Sequence, residues 1–213
     1  MYATLKVIKL VNKIDKISKL KNPKFIKPIK IDYTLNNKKR VWEAVISHDS
    51  VSILLYHTTK KAFIIVKQLR VPVLNANQRD GMMHELCAGI VDKEISHVQI
   101  AKEEILEECG YDIPTDALQK ISSFYTSVGI SGAQQTLYYA ECDESMKINE
   151  GGGLEEEDIE VLYIPVDDAK SFMFDESFQK TPGLIMGFYW WFDAISHERM
   201  EDFSKKNIHG SSE

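Results

Sequence analysis

Long apolar runs are missing from this chain of 213 residues. No stretch approaches the ~20 uninterrupted apolar residues that a membrane-crossing helix needs, so no membrane span is expected. Cysteine is scarce. Cys87, Cys109 and Cys142 are an odd number with no C-x-x-C spacing, which excludes a disulfide framework or a zinc knot and fits a reducing, cytoplasmic compartment. The G-x-S-x-G elbow of serine hydrolases is absent, and the six histidines form no H-E-x-x-H zinc motif. Lysine interrupts every apolar core near the N-terminus, so no secretory signal is expected. There are no internal repeats.

What is present is an ordinary globular mixture, 44% hydrophobic and 27% charged. The length suffices for one well-buried domain with a small appendage. The net charge of −6 argues against general nucleic-acid binding. It conceals an asymmetry. Residues 1–40 hold 12 Lys/Arg and 2 Asp, a net +10, and the rest holds 14 Lys/Arg against 30 Asp/Glu, a net −16. An acidic body that must meet an anionic substrate needs cations in between, which is consistent with a divalent metal site.

Val7, Leu10, Ile14 and Ile17 recur at helical spacing among lysines. A basic amphipathic helix on a membrane surface is one reading. A solvated extension or edge element over residues 1–22 is the one adopted, because Asp15 intrudes on a transit-peptide pattern. Within 23–46, Pro28–Thr34 and Arg40–Val45 alternate like strands around Asn36-Asn37, predicting a hairpin. Residues 47–205 are expected to form the main domain, and 206–213 a polar tail. Val51–Tyr56 and Ala62–Val66 are short apolar runs, read as buried strands with a turn at Lys60-Lys61. Residues 71–82 read as a loop, His84–Gly89 as one short strand, and 97–109 as a helix. Further strands are expected at Ile121–Tyr125, Gln135–Glu141 and Ile159–Ile164, and an aromatic-rich helix between Gly183 and His197. Short strands around two or three helices indicate a mixed α/β domain.

The informative segment is the helix at 97–109. Ser96 and Gln99 form a capping-box pattern, and Gly110 stands where a C-cap would end it. Val98, Ala101, Ile105 and Cys109 form a core-facing stripe. Glu103, Glu104, Glu107 and Glu108 are expected on the other side. Glu104 is i,i+3 to Glu107 and i,i+4 to Glu108, so their charges repel along the helix. This is either a solvated acidic face or a carboxylate cage for divalent ions, which take oxygen ligands and retain waters.

Gly89 and Gly110 have the separation, and Glu104-Ile105-Leu106-Glu107-Glu108-Cys109-Gly110-Tyr111 has every specified residue, of the second part of the motif G-x5-E-x7-R-E-U-x-E-E-x-G-U. The chain thereby resembles the Nudix hydrolases. Two positions depart from the motif: Ile95 stands for the first Glu, with Glu94 adjacent, and Glu103 for the Arg, with Lys102 one residue away. His48–Val51, Val66–Arg70, Glu85–Asp92 and Gly151–Glu156 extend the resemblance to the family branch that acts on ADP-ribose and UDP-sugars.

The resemblance implies a Nudix α/β/α sandwich with a mixed sheet, a small N-terminal β region and a homodimer. It implies Mg²⁺, with Mn²⁺ as an alternative, bound by Glu104, Glu108 and the Ala88 carbonyl, with Glu107 as a further ligand or orienter. The acidic loop at 155–157 would supply a general base (Glu155) and another ligand (Glu157), on a glycine-rich approach suited to a mobile loop. Arg70, Glu85 and Ser131 would contact substrate. Phe124 and Tyr125 are read as core rather than as stacking partners for a base. The expected reaction is metal-dependent hydrolysis of a nucleoside-diphosphate sugar, UDP-glucose first, giving UMP and glucose 1-phosphate. The alternatives are ADP-ribose hydrolysis, a non-catalytic nucleotide-sugar-binding module favoured by Ile95 and Glu103, and an RNA-related role resting on the basic N-terminus alone.

Overall fold

A computed structural model describes residues 12–23, 26–77, 80–154 and 157–195. Residues 12–20 carry no helix or strand. Val7 and Leu10, half of the amphipathic pattern, lie outside the described residues, as does the tail at 206–213. Asn36 and Asn37 take φ of 51° and 60°, the left-handed pair of a type I′ turn. They join β1 (Lys27–Leu35) to β2 (Lys38–Ile46) in an antiparallel hairpin that forms its own two-stranded sheet. The Val45 N–H donates to the Ile130 carbonyl at 2.7 Å and the Trp42 indole N–H to the Gly129 carbonyl at 3.0 Å, which ties the hairpin to the loop at 127–131.

The main sheet is mixed and seven-stranded. Its centre is β3 (Ser50–His57), which meets β4 (Ala62–Leu69) at only three positions, Leu55–His57 against Ala62–Ile64. Between β4 and the next strands the expected loop contains a helix, α1 (Val71–Asn77). Pro72 favours loops in general, but at the start of a helix its missing N–H costs nothing. The expected single strand at His84–Gly89 is broken at Leu86. β5 (Met82–Glu85) pairs with β4, and β6 (Cys87–Ile90) pairs with β3. Because β3 and β4 diverge beyond their three shared pairs, the segment serves both only by changing partners at Leu86.

Helix α2 (His97–Glu104) follows, then β7 (Gln119–Tyr125) antiparallel to β8 (Gln134–Cys142), which lies parallel to β3. β9 (Ile159–Pro165) pairs with β4. It leads into α3 (Val166–Phe174), with Asp167 and Asp168 favourably placed in the first turn. The aromatic stretch forms α4 (Pro182–Trp190), continued by a wider turn over Trp191–Ile195.

Successive strand residues face opposite ways, and both faces of β3 and β4 are covered. Val51, Ile53, Leu55, Ile64 and Val66 pack with Ile100, Ala101 and Ile105 on one side. Leu54, Tyr56, Phe63 and Ile65 pack with Phe172, Leu184 and Phe188 on the other. That two-sided burial is why these strands read as continuous apolar runs, and it makes the fold an α/β/α sandwich. Among the described residues no helix is long and apolar enough to cross a membrane.

Candidate active site

Ser96 caps α2, its Oγ accepting the Gln99 N–H at 3.3 Å. From Ile105 to Cys109 the helix widens into a π turn, an arrangement that recurs at functional sites. Gly110 ends it at φ 81°, and the Asn149 carbonyl presses so closely on its α-carbon that no side chain fits. The wider turn shifts the following residues round the axis. Glu108, expected on the outer face, is buried, 5% exposed, because it lies close to two whole turns from the buried Ala101, while Glu103, Glu104 and Glu107 are half-buried.

Strand β6 forms the floor under these carboxylates. The Ala88 N–H donates to Glu108 Oε2 at 3.0 Å. The Glu104 carboxylate lies on Gly89, where any β-carbon would collide with it. Burial pushes the Glu108 carboxyl up to about 8, against the pull of the Ala88 N–H. Burial, with repulsion from Glu107, pushes Glu104 up to about 7. The charge of Glu157 raises both further.

The glycine-rich approach is pinned rather than loose. Gly152 N–H donates to the Glu108 carbonyl at 2.9 Å and Gly153 N–H to the Glu107 carbonyl at 3.0 Å. Glu157 Oε2 accepts the Leu154 N–H at 3.0 Å. Glu155 and Glu156 lie outside the described residues. Lys102 does not pair with the acidic face but with Asp112 at 2.8 Å. Lys93 does, pairing with Glu103 at 2.7 Å, and its charge also acts on Glu107 and Glu104. Nothing in the sequence links residue 93 to a helix ten positions on, so this pair was not foreseen. Ile95 is exposed, and so is Glu94.

Arg70 makes a two-pronged ion pair with Glu85, Nε to Oε1 at 2.9 Å and Nη2 to Oε2 at 2.7 Å. The pair lies in the field of Glu108 and Glu157. Glu85 and Ala88 also line a cleft of about 350 Å³ between β7 and the start of α4. Ser52, Gln135, Phe124 and Tyr125 line it too. The core reading of the two aromatics holds in part for Phe124, which is half-buried against the core, and fails for Tyr125, which is 56% exposed. Ser52 was passed over, although one polar residue inside an apolar strand was a readable signal. Ser131 is not at this cleft; its Oγ is 2.7 Å from that of Ser47, at the end of the hairpin. Among the described residues, no three His, Cys, Asp or Glu side chains stand together closely enough to hold a metal ion by themselves.

No family model matches the chain. Individual relatives do. The chain is 32% identical over 200 residues to uridine diphosphate glucose pyrophosphatase NUDT14 of Bos taurus, covering 81% of this chain and 90% of the relative. The Mus musculus protein of the same name gives 32% over 200 residues, 80% and 90%. The GDP-mannose pyrophosphatase of Salmonella typhimurium is 40% identical over 134 residues, 62% of this chain and 65% of the relative. With that similarity running almost the length of the bovine and murine relatives, and the carboxylate helix standing over β6, the chain belongs to the Nudix family of nucleotide-sugar pyrophosphatases.

Proposed function

We propose that the chain hydrolyses the diphosphate bond of UDP-glucose to give UMP and glucose 1-phosphate, using Mg²⁺ or Mn²⁺. The observation that carries this reading is Glu108. It is a buried carboxyl with no ion pair among the described residues, one turn from a second raised carboxyl, and it is held by Ala88, which lines a cleft. Buried, mutually repelling carboxylates fit divalent cations, which accept hard oxygen donors and relieve the repulsion. Glu104, Glu108, the Ala88 carbonyl and Glu157 would hold them. When bound, such cations neutralise the diphosphate and acidify the attacking water.

The chain's own groups do the rest. The Ala88 N–H and Gly89 fix the two carboxylates before substrate arrives, which is the preorganisation an active site needs. Glu107, its carbonyl engaged by Gly153, orients the group, and Glu155 takes the proton of the attacking water. Arg70, held by Glu85, faces the phosphates. Ser131 acts through the loop that carries the hairpin. Lys93 limits repulsion at the acidic face while Glu103 anchors it.

The reading extends to a catalytic domain over 47–205 and to a homodimer built on the 23–46 hairpin. Val41, Trp42 and Ile46 are each more than half exposed there, and two-stranded hairpins are marginal alone. Three buried thiols support a cytoplasmic enzyme. To test the function, the full chain is incubated with UDP-glucose, ADP-ribose or GDP-mannose and either metal, and both products are identified. Fastest release of UMP and glucose 1-phosphate is expected. Cleavage of none of the three would reject the function, and preference for another would reject the substrate.

A further inference from the structure

A helix leaves its last carbonyls without donors of its own. In the π turn that ends α2, the carbonyls of Glu107 and Glu108 find donors at Gly153 and Gly152. The Gly110 carbonyl accepts the Ile148 N–H at 2.8 Å and the Asn149 N–H at 3.3 Å. Residues 148–153 thus lie along the end of the carboxylate helix. Gly110 in its left-handed conformation suffices to stop that helix, so termination alone does not account for the added bonds.

The far end of the same stretch seats another carboxylate. Gly153 takes φ of 83°, and a β-carbon there would collide with the Glu157 side chain. Glu157 in turn accepts the Leu154 N–H, and its charge reaches Glu104, Glu108 and Arg70. The shape of the stretch starts at Asn149. Its Oδ1 accepts the Gly151 N–H at 2.7 Å, a side-chain turn that sets the backbone direction. Gly151 follows at φ 68°, so near the helix that a β-carbon would strike the Glu108 carbonyl. Asn149 is itself exposed, so the core does not depend on its side chain.

We propose that residues 149–153 form a clip that sets Glu157 against Glu104 and Glu108, and that Asn149 is a positioning residue for the hydrolysis. This rests on the proposed function, which makes Glu157 a cation ligand. Asn149 acts through Gly151, whose turn aims the Gly152 and Gly153 N–H groups at the helix.

The test compares the full-chain parent with Asn149→Ala, Asn149→Asp and Gly153→Ala. Mn²⁺ binding is titrated without substrate. The kcat and KM for the nucleotide sugar that the parent cleaves fastest are measured with saturating Mg²⁺. Asn149→Ala is expected to weaken Mn²⁺ binding and lower kcat, each about three- to tenfold, the scale of one lost hydrogen bond, with KM within about twofold of the parent's. Aspartate keeps an acceptor for the Gly151 N–H, so Asn149→Asp should recover both. Gly153→Ala leaves Asn149 in place but displaces Glu157. It should weaken Mn²⁺ at least as much, and it decides the matter if Asn149→Ala does not fold. A merely structural asparagine would lower Tm and leave Mn²⁺ affinity and kcat at the parent's values. That result overturns the proposal, as does a loss confined to KM or a failure of Asn149→Asp to recover. A parent that binds Mn²⁺ yet cleaves no nucleotide sugar rejects the proposed function, and Mn²⁺ affinity then tests the clip alone. A parent that binds no Mn²⁺ overturns both.

Discussion

The two faces of the central sheet bury different things. Under α3 and α4, Phe63 stacks on Phe188 with ring centres 4.3 Å apart and meets Trp191 edge-on at 5.1 Å, and Tyr56 also packs on Trp191. Beneath these rings that face is apolar and aromatic, and at the start of α4 it opens into the cleft lined by Ser52, Leu86 and Leu184. Under α2 the same two strands meet a π turn, three buried thiols and the Glu108 carboxyl. Aromatic packing adds stability on the first face, whereas burying a carboxyl and widening a helix reduce it on the second. Stability and chemistry are thus separated by the thickness of one sheet, and mutations on the two faces should separate them too.

Phe188→Ala should have the largest effect, a loss of about 3–5 kcal/mol of unfolding free energy. Urea unfolding measures it, and the kcat of the folded fraction should be unchanged. A fall in kcat at equal folded fraction would break the division between faces. Glu108→Gln should do the reverse. Its kcat should drop about 10²–10³-fold, the range for losing a group that acts directly on transition-state charge, and its Tm should hold or rise because the cost of ionising a buried carboxyl is gone.

A pH titration of stability sharpens the comparison. Glu108 and Glu104 titrate at about 8 and about 7 in the folded chain against 4.5 ordinarily. Between those values the native state keeps protons that the unfolded state has released, so these groups favour folding most at low pH and that benefit is lost as pH rises toward 8. In a chelator, thermal melts should show this decline, and Glu108→Gln should flatten it; a contribution that grows from pH 5 to 8 would contradict it. The smallest effect is at Lys93. Lys93→Ala should lower kcat about two- to fivefold, the scale of an exposed ion pair. Adding Glu103→Arg should recover it, since a cation at 103 is i,i+4 to Glu107 and reaches it from the same helix.

Much of the sandwich was legible because helix and strand periodicities are local. The strand pair Val51–Tyr56 and Ala62–Val66, the Ser96 cap and the Gly110 stop could each be read from neighbouring residues. What escaped depended on partners distant in sequence. The break at Leu86 follows from the divergence of β3 and β4. Glu108 is an exception, since a 3.6-residue count already sets it on the face of Ala101 and Ile105 and only its charge pointed outward. Helix α1 was hidden because Pro72, Asn75 and Asn77 favour loops, although Pro72 stands at a helix start. At the site, Glu104, Glu107 and Glu108 were visible through their spacing, whereas Lys93 acquires meaning only once its loop is brought against α2.

The central claim is that two raised carboxyls on the π-turn helix hold divalent cations against a diphosphate. Mn²⁺ binding followed by electron paramagnetic resonance, in the presence of UDP-glucose, tests it most directly in the parent, Glu104→Gln and Glu108→Gln chains. Saturable binding in the parent that is lost in both variants is the expected result. Equal Mn²⁺ uptake by all three chains would contradict it.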